Sequence, residues 1–242
     1  MLLRCLKAEL QKGRHSPVWL AFVLLPIFPA ILGTGNYLGN IEVLDDAWYS
    51  LWSQHTLFSS MFFLPALLGV FCAWQWRLEH TDHNWNRFLT APVPVRDLCI
   101  AKVIWAAVIS VLSQAWIGVL FVLSGKIIGL TSPIPPQLPG WLLCGAVGGV
   151  SVCAVQLFFS LVIRAFAPPV AFALAGGILG LMFTSQGFGY YFPYSLLCIG
   201  MRANNPLMEL DYAPILISTA LYTMLFTFLS IRHLRRHDVA AE

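Results

Sequence analysis

The sequence predicts an all-α polytopic membrane protein with six transmembrane helices, and three observations carry that prediction. The 242-residue chain is 58% hydrophobic and only 10% charged, whereas soluble domains carry about 25% charged residues. Six stretches, near 17–35, 56–76, 98–124, 141–163, 167–186 and 214–231, approach the ~20 apolar residues that cross a hydrocarbon layer of ~30 Å. Lysine and arginine then alternate from side to side. Twelve of the fourteen fall in 1–16, 77–102, 164–166 and 232–242, leaving Lys126 and Arg202 for the other loops. The positive-inside rule puts both termini and the 77–102 stretch in the cytoplasm. We read residues 1–242 as one transmembrane domain.

Taken in order, residues 1–16 place Leu2, Leu3, Leu6 and Leu10 on one helical face and Arg4, Lys7, Glu9, Lys12 and Arg14 elsewhere, the pattern of an interfacial helix under the inner leaflet. A basic start before an apolar run also resembles a signal peptide. Pro26 and Pro29 interrupt that run, however, and no A-x-A site follows, so cleavage is not expected. The outer segment at about 36–55 carries Glu42, Asp45 and Asp46, with Tyr37, Trp48, Tyr49 and Trp52 placed to form an aromatic belt.

Residues 77–102 form a polar island, with 77–97 as its cytoplasmic loop. Leu78, Thr81, Trp85, Phe88 and Leu89 share one helical face, with Glu79, Asp82, Asn84, Asn86 and Arg87 on the others. Pro92 and Pro94 stop that helix, and Asp97 is expected to cap the next. Periodicity alone fits a helix gripped by a partner and a surface helix touching headgroups equally well. Lys102 is expected to snorkel from the third span to the headgroups. Ser110, Ser113 and Gln114 in that span are expected to bond a neighbouring helix.

The turn TSPIPPQLP reads as a stiff connection. Gly145 and Gly149, like Gly176 and Gly180, are four apart and mark helix-packing faces. The segment 187–213 is too apolar for a water-exposed loop and too short for two more spans. We expect a re-entrant or interfacial helical segment there.

Several chemistries are absent from the sequence. It holds no Walker A loop, HExxH or G-x-S-x-G, and GTGNYLG at 33–39 has the wrong spacing for a dinucleotide site. The six cysteines show no CxxC pattern and read as apolar filler. Glu79, His80, Asp82 and His83, and separately His233 and His237, are better read as solvated faces than as metal ligands. No Asp, Glu, Lys or Arg lies in mid-span, where ion-coupled transporters keep their coupling groups. The energy source is therefore expected to lie in a partner.

Glu79, Asn84-Trp85, Leu89, Pro92-Val93, Arg96 and Lys102 form a further pattern. This order of residues between spans two and three resembles the cytoplasmic coupling region of type-2 ATP-binding-cassette exporter permeases. Within that family it is most similar to the small six-span permeases of lantibiotic-immunity transporters. LKAELQKGRHS resembles the family's N-terminal connecting helix, and FPYSLLCIGM its outer segment between spans five and six. The glycine that many larger members carry after the glutamate is missing, which argues against their lipid and polysaccharide branches.

The resemblance implies a permease subunit in the bacterial cytoplasmic (inner) membrane, paired with an identical or sister permease and with two copies of a cytoplasmic ATPase. Glu79, Asn84, Trp85, Arg87, Phe88, Leu89, Pro92 and Arg96 would meet the ATPase. Tyr190, Tyr191, Pro193 and Tyr194 would belong to the outer segment. ATP and Mg would be bound by the ATPase, so this chain would hold no cofactor, catalyse no reaction and bind no nucleic acid. The expected cargo is an amphiphilic peptide such as a lantibiotic, expelled to give antimicrobial peptide resistance. A membrane anchor or sensor that grips a partner through 78–90, and a lipid-modifying enzyme, are the competing readings.

Overall fold

A computed structural model of the chain describes residues 1–14, 16–80, 93–203 and 205–236, the side chain at 78 excepted. The described residues hold no strand and include six helical spans long and apolar enough to cross a membrane. Helix α1 (Leu2–Gly13) precedes a first span made of α2 (Val18–Leu24) and α3 (Ile27–Gly39). The break between them falls at Pro26, whose ring lacks an N–H and crowds the preceding turn. Pro29 is tolerated because it sits in the first turn of α3, where N–H groups have no intrahelical partner anyway.

The second span runs through α4 (Trp48–Phe58), a π turn (Ser59–Phe63) and α5 (Leu64–His80). Pro65 accounts for the π turn. It cannot donate to the carbonyl four residues back, that of Met61. That carbonyl instead faces Gly177, lying 2.3 Å from where a Cβ there would sit. The third and fourth spans are α6 (Val95–Ile127) and α7 (Leu138–Val162). At 33 residues, α6 is about 50 Å long and outreaches the hydrocarbon layer. The fifth and sixth spans are α8 (Ala167–Ser185) and α10 (Tyr212–Arg236), with a 3-10 turn (Gly189–Tyr191) and the short helix α9 (Ser195–Gly200) between them.

Helix α7 is the hub, packing against α5, α6, α9 and α10. All six residues of α9 are buried, so the 187–213 segment carries a helix inside the bundle. Cys198 lies within it. Close backbone approach makes this possible. A Cβ on Gly148 would meet the Leu196 carbonyl oxygen at 2.3 Å, and one on Gly200 would meet that of Cys144 at 2.3 Å. Neither contact has a flexible partner that could move aside. Gly145 lies on Met201 and Gln114, Gly149 on Ser110, and Gly176 and Gly180 on Tyr194. Ser151 donates to the Pro193 carbonyl at 2.6 Å, and Tyr194 is buried with its hydroxyl 2.5 Å from the Gln156 amide. Tyr191 remains exposed, its carbonyl accepting from Tyr222 at 2.6 Å.

Three sequence expectations give way here. Tyr37, Trp48 and Trp52 are no interfacial belt, because all three are buried. Helix α4 starts at Trp48, earlier than the apolar run suggested, which turns its first two turns into the core. Trp52 stacks on Trp141 with centroids 5.4 Å apart, meets Phe121 edge-on at 4.9 Å, and donates its indole N–H to the Met201 carbonyl at 2.7 Å. Next, Asp97 does not cap α6. Pro94 holds the N-cap position, and Asp97 sits in the first turn, where a carboxylate still faces the positive end of the helix dipole. Finally, of the polar trio on α6 only Ser110 bonds another helix, donating to Ala146 at 2.8 Å. Ser113 turns back to Ile109, and the Gln114 amide is buried without a hydrogen-bond partner.

The glycine contacts are directly testable. Gly148→Ala should destabilise the protein by about 1–3 kcal/mol, the usual cost of overpacking a rigid contact. Gly35→Ala should be neutral or slightly stabilising, since nothing lies within 4 Å of that position and alanine favours helix. Thermal unfolding of the detergent-purified protein separates the two.

Candidate coupling site

Four charged side chains from three elements converge at the basic end of the bundle. Helix α1 sets Glu9 and Lys12 one turn apart, α5 presents Glu79 in its last turn, and α6 presents Lys102 two turns after its start. The Lys102 ammonium is fully buried, as are Glu9 and Glu79 but for 6% and 2% of their surface. Lys102 donates to Glu79 Oε1 at 2.9 Å, to the Gln75 carbonyl at 2.8 Å, and to both oxygens of Glu9 at 3.2 and 3.3 Å. An ammonium has three N–H bonds, so its donors are all used. Its charge also lies 4.6 Å from the centre of the Trp76 ring.

Lys12 closes the arrangement, donating to Glu9 at 2.7 Å and to Glu79 at 2.6 Å. Cations and carboxylates therefore alternate round a four-membered ring with no net charge. Burial by itself would raise the Glu9 carboxyl, but the Lys102 and Lys12 charges outweigh it and hold the group below its ordinary range. Burial would likewise lower the Lys12 ammonium, and the Glu79 and Glu9 carboxylates raise it instead. Both groups are charged at neutral pH.

This ring corrects two sequence expectations. Lys102 does not snorkel, because carboxylates reach it before water does. Glu79 is not on a solvated face. It sits in the last turn of α5 and points into the bundle, with Oε2 buried and lacking a hydrogen-bond partner. Helix α1 keeps its lipid-facing side, with Leu3 and Leu10 exposed, while Cys5, Glu9 and Gly13 turn inward. Trp105 on α6 donates to the Leu6 carbonyl at 3.0 Å, pinning the two helices together.

Of the other expected coupling residues, Arg96 is exposed at the start of α6. Asn84, Trp85, Arg87, Phe88, Leu89 and Pro92 lie outside the described residues. So do Asp82, His83 and His237 of the weighed metal groups. His80 faces the Ser160 carbonyl at 3.4 Å. Among the described residues no three His, Cys, Asp or Glu side chains converge as metal ligands would.

Breaking one member of the ring should be worse than removing an opposed pair. Lys102→Met is expected to cost about 3–5 kcal/mol, because it strands buried carboxylates. Lys102→Met with Glu79→Gln should cost less than the two single changes summed, read by thermal unfolding. The pH limb has a definite sign. Glu9 is held below its ordinary 4.5, so its stabilisation is complete above that value and is lost as pH falls through the folded one. Glu9→Gln should flatten acid unfolding below about pH 4.5.

No match was found among curated proteins or among solved structures. The family model for ABC-2 family transporter proteins matches residues 5–180, a stretch that contains all four members of the ring. The chain is a multi-pass membrane protein of the ABC-2 transporter permease family, the membrane subunit that works with an ATP-binding-cassette ATPase.

Proposed function

We propose that the chain is the permease of an exporter that expels an amphiphilic peptide such as a lantibiotic across a bacterial cytoplasmic membrane. It pairs with a second permease, identical or sister, above two copies of the ATPase, and both its termini face the cytoplasm. ATP and Mg are bound by the ATPase, and this chain makes and breaks no bond. The observation that carries the reading is the buried charge ring. It joins α1, α5 and α6 at the point where the chain leaves α5 for the polar island and returns into α6. A push on residues 81–92 by a closing ATPase dimer would reach all three helices as one body, because ion pairs held in a low-dielectric setting are stiff.

Within that reading Trp85, Phe88 and Leu89 anchor the ATPase, as buried aromatic residues commonly do at interfaces, and Arg96 contributes from the exposed start of α6. Glu79 acts from inside the bundle. The substrate part of the proposal rests on the resemblance to lantibiotic-immunity permeases. An anchor or sensor function is the second reading, favoured by the same buried ring if the ATPase docks without turnover.

The test is stimulated ATP hydrolysis by the co-purified complex. Trp85→Ala with Phe88→Ala should weaken ATPase binding at least about tenfold. Glu79→Gln should leave binding intact and lower stimulation. Wild-type protein that neither binds an ATPase nor alters its turnover would remove the basis for export.

A further inference from the structure

At the end of the bundle opposite the charge ring, a cavity of about 340 Å³ opens among the end of α8, the 3-10 turn and the end of α9. Its size falls within the range of small-ligand sites. Thr184, Ser185, Tyr190, Asn205 and Met208 line it together with Arg202, one of only two basic residues outside the basic-end segments. The Arg202 guanidinium makes no side-chain hydrogen bond among the described residues, and its Nε is buried without a partner. The chain offers exposed carboxylates nearby in sequence at Glu209 and Asp211. Yet no carboxylate among the described residues comes within the 4.0 Å of an ion pair with Arg202.

Arg202 also occupies an unusual backbone position. Helix α9 ends in a Schellman motif, with Ala203 N–H bonded to the Cys198 carbonyl at 3.1 Å and Arg202 N–H to that of Ile199 at 3.0 Å. The residue after the cap in this motif is usually glycine, since it takes a left-handed conformation. Here it is Arg202, at φ +50°. An arginine held where glycine would sit freely is a backbone outlier of the kind that clusters at functional sites. The cavity wall behind it is rigid, because Trp52 holds the Met201 carbonyl and Gly200 lies against the Cys144 carbonyl.

The geometry points to a binding site for the anionic head of an amphiphile, with Arg202 as its counter-charge. Arginine is suited to this because its planar fork matches a carboxylate or phosphate with two parallel N–H bonds. The amphiphilic body follows from Met208, which lines the cavity, and from its chain neighbour Leu207 and from Phe188, set in sequence between the lining residues Gly187 and Gly189; all three are more than half exposed. An apolar tail leaving the cavity would cover them. Thr184 and Ser185 donate their own protons to the Gly180 and Leu181 carbonyls. Their oxygens therefore accept, and suit hydroxyls on the same head group. This site stands apart from the coupling reading and needs no ATPase.

The six native cysteines are buried, which allows a clean chemical probe. Asn205→Cys in a Cys198→Ser background puts a reactive thiol at the cavity. An anionic methanethiosulfonate should modify it about tenfold faster than a cationic one of similar size, through local attraction. Arg202→Gln should abolish that preference and Arg202→Lys should retain it. Dodecyl phosphate should protect the thiol in the Arg202 protein and fail to protect it in Arg202→Gln. Equal rates for the two reagents would overturn the proposal even if Arg202→Gln does not fold. Equal protection by inorganic phosphate or by dodecyltrimethylammonium would overturn, respectively, the amphiphile and the charge selectivity.

Discussion

The structure depends on the need to match one buried ammonium. Lys102 has no exposed surface, and a lone charge in such surroundings would be prohibitive. It is offset by Glu79, 23 residues earlier in the chain, and Glu9, 93 residues earlier. Because those carboxylates belong to different helices, satisfying one charge fixes three elements. Lys12 then balances the second carboxylate equivalent. The N-terminal helix, which on its amphipathic pattern could float on the membrane surface, is thereby tied to the second and third spans.

The far end of the bundle is held by different physics. Ionic matching is absent there among the described residues, and close packing takes its place. Gly148 and Gly200 let α7 and α9 touch backbone to backbone, while Trp52, Phe121 and Trp141 fill the adjoining core. Small residues bring helices together in an apolar solvent because dispersion contacts replace the hydrophobic effect as the source of attraction. The result is a short buried helix near a membrane boundary, with the flanking Met201 and Pro193 carbonyls and the Tyr194 hydroxyl bonded to Trp52, Ser151 and Gln156.

The two ends are joined by α6 and α7. Helix α6 carries Lys102 at the basic end and Phe121 and Gly125 at the other, and packs along α7 for much of its length. The π turn in the second span lies between the two regions, with Met61 set against Gly177. π turns are rare and are found frequently at functional sites, where they kink a helix.

The sequence by itself determined the six spans, their approximate limits and the sidedness of basic charge, because hydrophobic length and charge bias are local properties of the chain. It also singled out Glu79 and Lys102 as notable, and the glycine pairs as packing faces. The partners of those residues were not legible. Glu9 and Lys12 looked like the polar side of a surface helix, since no spacing rule links position 9 to positions 79 and 102. Trp48 and Trp52 looked interfacial, since composition cannot distinguish a ring facing lipid from one facing Phe121. Arg202 looked like a loop residue, because its left-handed backbone and the cavity beside it exist only once α9 is folded inward. Tertiary structure decided these matters for one reason: a hydrogen bond forms with whichever group comes within about 3 Å, and the folded chain brings that group from any distance along the sequence.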